Sequence, residues 1–178
     1  APITIYGVLA AYISATYVLS KDWMWFSWHP FCMMIGFVVL AANATLLKRI
    51  GGYSNTKLHG NLMFVALMLT GFGWYVIYGL KETNGKPHLM TNHGKLGFGV
   101  MVGNIGLAVA GIVGLNPDWG IFRTNKLVRF FHKIAGRIVI LASYITCVLG
   151  FLPMSNGNLL YQLLFSLPLV ILGALLVL

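Results

Sequence analysis

The chain has 178 residues, of which 58% are hydrophobic and only 8% are charged. Because a water-soluble globular domain carries about 25% charged residues, this composition excludes such a domain and indicates a polytopic membrane protein. The formal net charge of +9 does not indicate a nucleic-acid-binding protein, since the basic residues are confined to loops and helix ends.

Six apolar runs follow one another along the chain, and each is close to the roughly 20 residues that a membrane-spanning helix requires. They cover residues 3–20, 28–47, 58–80, 93–115, 132–152 and 159–178. The first run has neither a basic leader nor a cleavage site, so we expect a span rather than a signal peptide. The sequence therefore predicts an all-α fold of six transmembrane helices, in a single domain over residues 1–178.

The basic residues predict the orientation of these helices. One side of the membrane would carry Lys48, Arg49, Lys57, Arg123, Lys126, Arg129, Lys133 and Arg137. The other side would carry Lys21, Lys81, Lys86 and Lys95, partly balanced by Asp22 and Glu82. By the positive-inside rule the first side faces the cytosol, which also places both ends of the chain there.

The first predicted helix, residues 3–20, contains no charged residue and no histidine, so we expect it to pack at the periphery. An interfacial aromatic belt follows, formed by Trp23, Trp25 and Trp28. The second helix is expected to begin with Ser27 as its N-cap. Its first turn holds His29, and Pro30 is tolerated there because no intrahelical hydrogen bond is lost.

Each of the next three helices is predicted to begin with a histidine. His59 opens the third helix, His93 the fourth and His132 the fifth. Thr91 or Asn92 is expected to cap the first turn of the fourth helix. Three of the six predicted helices thus begin at an ionisable side chain, and the second carries one in its first turn.

The remaining polar segments belong to the predicted outer face. His88 lies in the outer loop before the fourth helix, in polar surroundings. Pro153 and residues 155–158 are expected to form a tight outer turn before the sixth helix, which has no ionisable side chain. The histidines at helix starts are therefore confined to the second to fifth helices.

Alternating helix directions predict two histidine pairs. His29 and His93 would meet at the outer face, and His59 and His132 at the cytosolic face, each pair projecting inward from a central four-helix bundle. Two imidazoles on opposite sides of a flat gap are the axial ligands of a b-type haem. The spacing therefore predicts two haem b groups, one near each face.

The histidines have two other interpretations. Any single one is equally expected to be a hydrogen-bonded packing residue, but four in equivalent places disfavour that reading. Zinc needs three or four clustered ligands, which two separate pairs cannot supply. Glycines on these helices would leave room for a porphyrin, although small residues are also ordinary contacts between membrane helices. They are Gly36, Gly60, Gly94, Gly97, Gly103 and Gly136.

Filled axial positions restrict the chemistry to electron transfer, because no open site remains for dioxygen or a substrate. Cys32 and Cys147 lie inside predicted spans and have no CxxCH context, which argues against covalent haem attachment. The sequence therefore predicts a transmembrane path for electrons.

The motifs that carry the histidines resemble one family. Ser27-Trp28-His29-Pro30, His59, the run 85–94 that ends at His93-Gly94, and His132-Lys133-Ile134-Ala135-Gly136 are similar to the cytochrome b561 family. The closest resemblance is to its single-domain branch, which has no attached DOMON domain. This resemblance implies two b haems, a possible homodimer, and electron passage from cytosolic ascorbate to monodehydroascorbate or ferric iron on the other side.

The resemblance implies an enzyme, a transmembrane ascorbate-dependent oxidoreductase that acts as a ferrireductase or monodehydroascorbate reductase. The resemblance does not specify which membrane holds the protein: an endomembrane, of the endoplasmic reticulum or a vesicle, or the plasma membrane. The alternatives are a haem b subunit that passes electrons within a larger complex, and a non-redox transporter. A transporter would be expected to carry intramembrane Asp or Glu, and the predicted helices have none.

Family members similarly place basic residues ahead of the two cytosolic histidines, which predicts an ascorbate site at Lys57, Lys126 and Arg129. The alternatives are that these charges only set topology, and that Arg129 pairs with a haem propionate. At the outer face, Lys86, His88 and Lys95 are predicted to attract the acceptor, a ferric chelate or monodehydroascorbate. Here the alternative is a set of loop charges with a snorkelling lysine.

Overall fold

The computed structural model describes residues 2–16 and 22–177, and all of the regular structure in these residues is helical. Five helices among them are long and apolar enough to cross a membrane. They cover Trp25–Ile50, Tyr53–Thr83, Asn92–Gly114, Lys126–Met154 and Leu159–Leu176. The chain is therefore an integral, multi-pass membrane protein, and the all-α prediction is confirmed for this part of it.

The first predicted span is represented by α1, Pro2–Thr16, a helix of 15 residues. Residues 17–21, which include Lys21, lie outside the described residues, as do Ala1 and Leu178. A sixth span over residues 3–20 therefore stays a prediction.

The Trp25–Ile50 span consists of four helical pieces. A 3₁₀ turn, Trp25–Ser27, leads into α2, Trp28–Met33, and a π segment, Met34–Ala41, then leads into α3, Ala42–Ile50. Ser27 directly precedes α2 as predicted, but its side chain makes no capping hydrogen bond to that helix. Because the 3₁₀ turn already starts at Trp25, the Ser27 hydroxyl instead accepts a hydrogen bond from the Met24 amide at 3.1 Å.

The remaining helices are α4, Tyr53–Thr83; α5, Asn92–Val109, prolonged by a π turn, Ala110–Gly114; α6, Lys126–Met154; and α7, Leu159–Val177. Thr91 caps α5 as predicted, since its Oγ1 accepts a hydrogen bond from the Gly94 amide at 3.1 Å. Asn125 caps α6 by accepting from the amides of Leu127 and Val128.

Three predicted boundaries differ in the structure. Both α4 and α6 start six residues before their histidine, so His59 and His132 lie in the second turn rather than at the head of the helix. In addition, α6 continues through Pro153 to Met154, and the outer turn starts only at Ser155. His59 and His132 therefore lie further along their helices than the hydropathy pattern indicated.

The four histidine-bearing helices contact one another in a ring. α4 packs along α2, the π segment and α3, while α5 packs against α6. Contacts of α4 with α5, and of α6 with the π segment, close the ring. α1 packs on the π segment and α2, outside this ring, in agreement with the peripheral position predicted for it. α7 packs on α6.

The outward surface of the helices is apolar. Ile138 on α6 and Val170 on α7 are 61% and 63% exposed, and many other large hydrophobic side chains are similarly exposed. A protein in water rarely exposes such a continuous apolar surface, whereas lipid tails are its natural neighbours. The exposed surface therefore faces the bilayer.

Candidate functional site

The histidine pair that the sequence predicts at the outer face, called the outer pair below, lies between the first turn of α2 and the start of α5. The rings of His29 and His93 have centroids 6.0 Å apart and are nearly perpendicular, at 88°. A metal ion at the roughly 2 Å typical of metal–imidazole bonds fits between two rings at this spacing. The structure thus brings together the two side chains that the sequence pairs at this face.

Hydrogen bonds leave the same nitrogen of each outer histidine available. Nδ1 of His29 donates to the carbonyl of Gly73 on α4, and Nδ1 of His93 donates to the carbonyl of Thr146 on α6, both at 2.9 Å. Since a carbonyl can only accept, Nδ1 carries the proton and the Nε2 lone pair stays open for a metal. Metal-binding histidines in proteins are held by the same kind of partner.

A cavity of about 540 Å³ adjoins this pair. Side chains from the Trp25–Ile50 span, α4, α5 and α6 line it, and they are mainly apolar or aromatic, including Met33, Ile77, Phe98 and Met101. A volume of several hundred Å³ with an apolar lining and few polar groups is typical of sites for large organic cofactors. The residues present therefore fit a haem held by His29 and His93.

Gly150 is the residue of α6 that lies against the His93 ring. A Cβ at this position would lie 2.8 Å from Cε1 and 2.9 Å from Nδ1 of His93. These distances are shorter than van der Waals contact, so only glycine leaves the imidazole in its present position. Sequence reasoning missed Gly150, because none of the histidine motifs contains it.

The second pair, which the sequence predicts at the cytosolic face and which is called the cytosolic pair below, is arranged differently. His59 is held by a hydrogen bond of 3.0 Å from its Nδ1 to the carbonyl of Ala44 on α3. His132 is half-buried, and its Nδ1 has no hydrogen-bond partner in the described part of the chain. The two imidazoles lie close enough for their charges to interact. A buried ring nitrogen without a partner is costly, which fits a histidine that awaits a ligand.

A second cavity, of about 420 Å³, adjoins His132. Its other lining residues come from α5, the π turn and α6, and several are small. They are Gly103, Gly106, Leu107, Ala110, Val128, Phe131 and Ala135. His59 does not line this cavity, so the structure brings the two cytosolic histidines near each other without a shared opening.

The glycines that were predicted to leave room for a porphyrin differ in the free space beside them. A Cβ on Gly36 would overlap Thr70 Cγ2, and one on Gly103 would lie 2.8 Å from Val139 Cγ2. These two glycines therefore provide close contacts between helices. No atom lies within 4 Å of such a Cβ on Gly60 or Gly136, so the space beside them is open.

No three His, Cys, Asp or Glu side chains converge on one point within residues 2–16 and 22–177. A closed zinc site needs at least that many ligands.

The predicted ascorbate residues are not all free of protein partners. Lys57 Nζ lies 2.9 Å from Asp118 Oδ2, and the Tyr53 hydroxyl donates to Asp118 Oδ1. The hydrogen bonds from Lys57 and Tyr53 hold the pKa of the Asp118 carboxyl below its usual value. Lys126 and Arg129 are exposed at the start of α6.

Lys48 is a basic residue of this face that the sequence assigned to topology alone. Its Nζ donates to Thr56 Oγ1 at 2.7 Å, and it lies close enough to His59, His132 and Arg129 for their charges to interact. Gly51 and Gly52, both with positive φ, make the reversal between α3 and α4 that returns the chain toward Lys48. In the sequence, the two consecutive glycines were the one feature that could have indicated this reversal and so the position of Lys48 beside the next helix.

At the outer face, His88 is held by its neighbours at the mouth of the larger cavity. Its Nε2 lies 2.7 Å from Glu82 Oε1, and its ring stacks on Tyr78 with centroids 4.6 Å apart. Lys81 also lines the cavity, whereas Lys86 and Lys95 are exposed and do not. The structure therefore gathers His88 with Lys81 rather than with Lys86 and Lys95.

A helical membrane protein with inward-facing, paired imidazoles belongs to the general class of b-type cytochromes. The family model for eukaryotic cytochrome b561 matches residues 28–155, which include all four paired histidines. The chain belongs to the cytochrome b561 family, whose members bind haem b.

Curated relatives agree with this family. The proteins named transmembrane reductase CYB561D2 from Homo sapiens, Bos taurus and Mus musculus are each 29% identical over 140 residues. Each match covers 70% of this chain and 60% of the relative. The chain thus spans about 60% of the length of the curated relatives that it matches.

Proposed function

We propose that this chain, acting as one domain over residues 1–178, is a transmembrane oxidoreductase that passes electrons through two b haems. The observation that carries the proposal is the outer pair, in which two imidazoles 6.0 Å apart adjoin a cavity of about 540 Å³. The name transmembrane reductase, carried by the relatives, supports the same kind of activity.

His29 and His93 would hold the outer haem, and His59 and His132 the cytosolic one. Bound haem b supplies reversible one-electron chemistry. The protein's part is to fix the imidazoles: the carbonyls of Gly73, Thr146 and Ala44 keep the proton of three rings on Nδ1. Apolar side chains around the outer pair would exclude water and so tune the potential.

We place the donor, ascorbate, at the cytosolic face. Ascorbate gives up one electron and one proton and becomes monodehydroascorbate. At neutral pH it is a monoanion, so Lys57, Lys126 and Arg129 would concentrate it by charge. Lys48 lies close enough to interact with both cytosolic histidines and with Arg129, which supports a basic recess there.

We place the acceptor at the outer face, where one electron would reduce ferric iron to ferrous iron or monodehydroascorbate to ascorbate. Lys86, His88 and Lys95 remain our candidates for attracting it. The position of His88 at the cavity mouth, beside Lys81, supports an approach close to the outer pair. Ferric iron in an anionic chelate is the acceptor that this basic surface favours.

The remaining features of the proposal concern the membrane. Six spans would place both ends of the chain in the cytosol, in agreement with the positive-inside rule. The family membership supports a possible homodimer in an endomembrane, of the endoplasmic reticulum or a vesicle, or in the plasma membrane.

The donor site is tested with Lys57→Ala and Arg129→Ala in the purified, haem-loaded protein. Loss of one cationic contact should slow haem reduction at low ascorbate concentration by about three- to tenfold and make it less sensitive to salt. Stopped-flow absorbance measures the rate, after both variants are shown to retain both haems.

Lys95→Ala is the matched control, because it removes the same charge from the predicted outer face. It should leave reduction by ascorbate unchanged. Normal kinetics in both cytosolic variants would reject the donor site, and loss of the cytosolic haem in Arg129→Ala alone would assign Arg129 to a propionate.

A further inference from the structure

The loop between α5 and α6 is a hydrogen-bonded turn that carries one carboxylate, that of Asp118. The amides of Gly120 and Phe122 donate to the carbonyls of Asn116 and Gly114, at 2.9 and 2.8 Å. A Cβ on Gly120 would lie 2.6 Å from the backbone of Asn116, so the turn requires glycine there. Hydrogen bonds within the loop therefore contribute to its shape independently of the Asp118 carboxylate.

The Asp118 backbone is fixed within this turn. Its amide donates to Asn116 Oδ1 at 2.9 Å, and its carbonyl accepts from Arg123 Nη1 at 2.6 Å. Next to it, the indole Nε1 of Trp119 donates to the carbonyl of Ile112 at 3.1 Å. The carboxylate is consequently held in a defined place relative to the end of α5.

From this place the carboxylate reaches the first turns of α4. One oxygen of Asp118 is 2.9 Å from Lys57 Nζ and the other accepts from the Tyr53 hydroxyl. The ammonium lies in addition 5.4 Å from the centre of the Tyr53 ring. A lysine and a phenol that bind one carboxylate are also the donors that an ascorbate monoanion would use.

The contact between Asp118 and Lys57 involves the rarer type of charge in this protein, because acidic residues are few. The sequence has three acidic residues, Asp22, Glu82 and Asp118, and the first two are on the predicted outer side. Asp118 is thus the single carboxylate of the sequence on the side that carries eight basic residues, and it is paired with one of the predicted substrate ligands.

We propose that Asp118 is an internal competitor for the electron donor, a carboxylate that occupies Lys57 and Tyr53 until an ascorbate monoanion replaces it. The inference rests on the proposed donor site and adds a determinant of its affinity. Binding of the substrate anion requires the Lys57–Asp118 pair to separate, so Asp118 raises the ascorbate concentration that half-saturates haem reduction. The rate at saturating ascorbate is unaffected, because Asp118 is then displaced.

The test is Asp118→Asn in the purified, haem-loaded full chain. Stopped-flow absorbance gives the rate of haem reduction over a range of ascorbate concentrations. We expect the half-saturating concentration to fall about two- to fivefold, the range for loss of one exposed ion pair, with an unchanged maximal rate. Asp22→Asn, which changes the net charge equally on the predicted outer face, should leave both values unchanged.

Two further variants separate the possible outcomes. In a Lys57→Gln background, Asp118→Asn should no longer lower the half-saturating concentration, since its partner is gone. Asp118→Ser repeats the test if the asparagine variant loses haem, because neither substitution removes a backbone hydrogen bond of the turn.

An unchanged half-saturating concentration in Asp118→Asn, with a raised value in Lys57→Ala, would overturn the competitor role alone. A raised value in Asp118→Asn would also overturn it, since Asp118 would then position Lys57 for the substrate. If neither Lys57→Ala nor Arg129→Ala has an effect, the proposed donor site itself fails.

Discussion

At the scale of single residues, each of three histidines is oriented by a carbonyl on another helical segment. His29 bonds to α4, His93 to α6 and His59 to α3. The sequence predicted which histidines would approach each other from the alternating helix directions. It could not predict these partners, because every residue has a backbone carbonyl and the choice depends on how the helices pack.

Gly150→Ala tests the role of close packing around the outer pair. The added methyl group would overlap the His93 ring, so the imidazole has to leave its hydrogen bond to Thr146. We expect loss or spectral perturbation of one haem of two, with the other unchanged. Haem content per chain and the reduced-minus-oxidised visible spectrum measure this effect.

Gly99→Ala is the control for this substitution, since a Cβ at Gly99 on α5 has no neighbour within 4 Å. Alanine is favoured over glycine in a helix by about 1 kcal/mol, so the control should be neutral or slightly stabilising. Two unperturbed haems in Gly150→Ala would show that the His93 ring does not need its present position.

At the scale of elements, the starts of α4 and α6 were predicted too late. The first six residues of α4 are mostly polar, and the first six of α6 include the charges of Lys126 and Arg129. A hydropathy pattern places a span only where it finds an apolar run. These turns extend the helices beyond the apolar run. They carry Lys57, Lys126 and Arg129 on helical backbone instead of on loops.

The π segment depends on a close approach between helices. Gly36 lies against Thr70 and the carbonyl of Ala66 on α4, with no room for a Cβ. We therefore expect Gly36→Ala to destabilise the protein by about 1–3 kcal/mol, the usual cost of overpacking. Thermal unfolding of the detergent-solubilised protein measures the change.

A second substitution identifies the cause of that destabilisation. Thr70→Ser removes the methyl carbon that a Cβ on Gly36 would meet, so the double variant should recover part of the lost stability. Gly71→Ala is the control, because a Cβ there has no neighbour within 4 Å. Unfolding of Gly36→Ala at the wild-type temperature would contradict the packing account.

At the scale of the whole molecule, composition alone indicated a membrane protein, and helix directions indicated which ends meet. The structure agrees for the part of the chain that it describes, with five helices long enough to span. The pairing of Lys57 with Asp118 was not predictable, because it joins residues 61 positions apart through the folded turn after α5. Ion pairs of this kind depend on loop geometry, which hydropathy does not report.

The central claim is that four histidines hold two haems in two separate pairs. Its most direct test is the haem content per chain, with reduced-minus-oxidised spectra, of the wild-type protein and of the four His→Ala variants. We predict two low-spin haems in the wild type, loss of one component in both His29→Ala and His93→Ala, and loss of the other in His59→Ala and His132→Ala. A single haem per chain, or loss of the same component in His29→Ala and His59→Ala, would contradict the account.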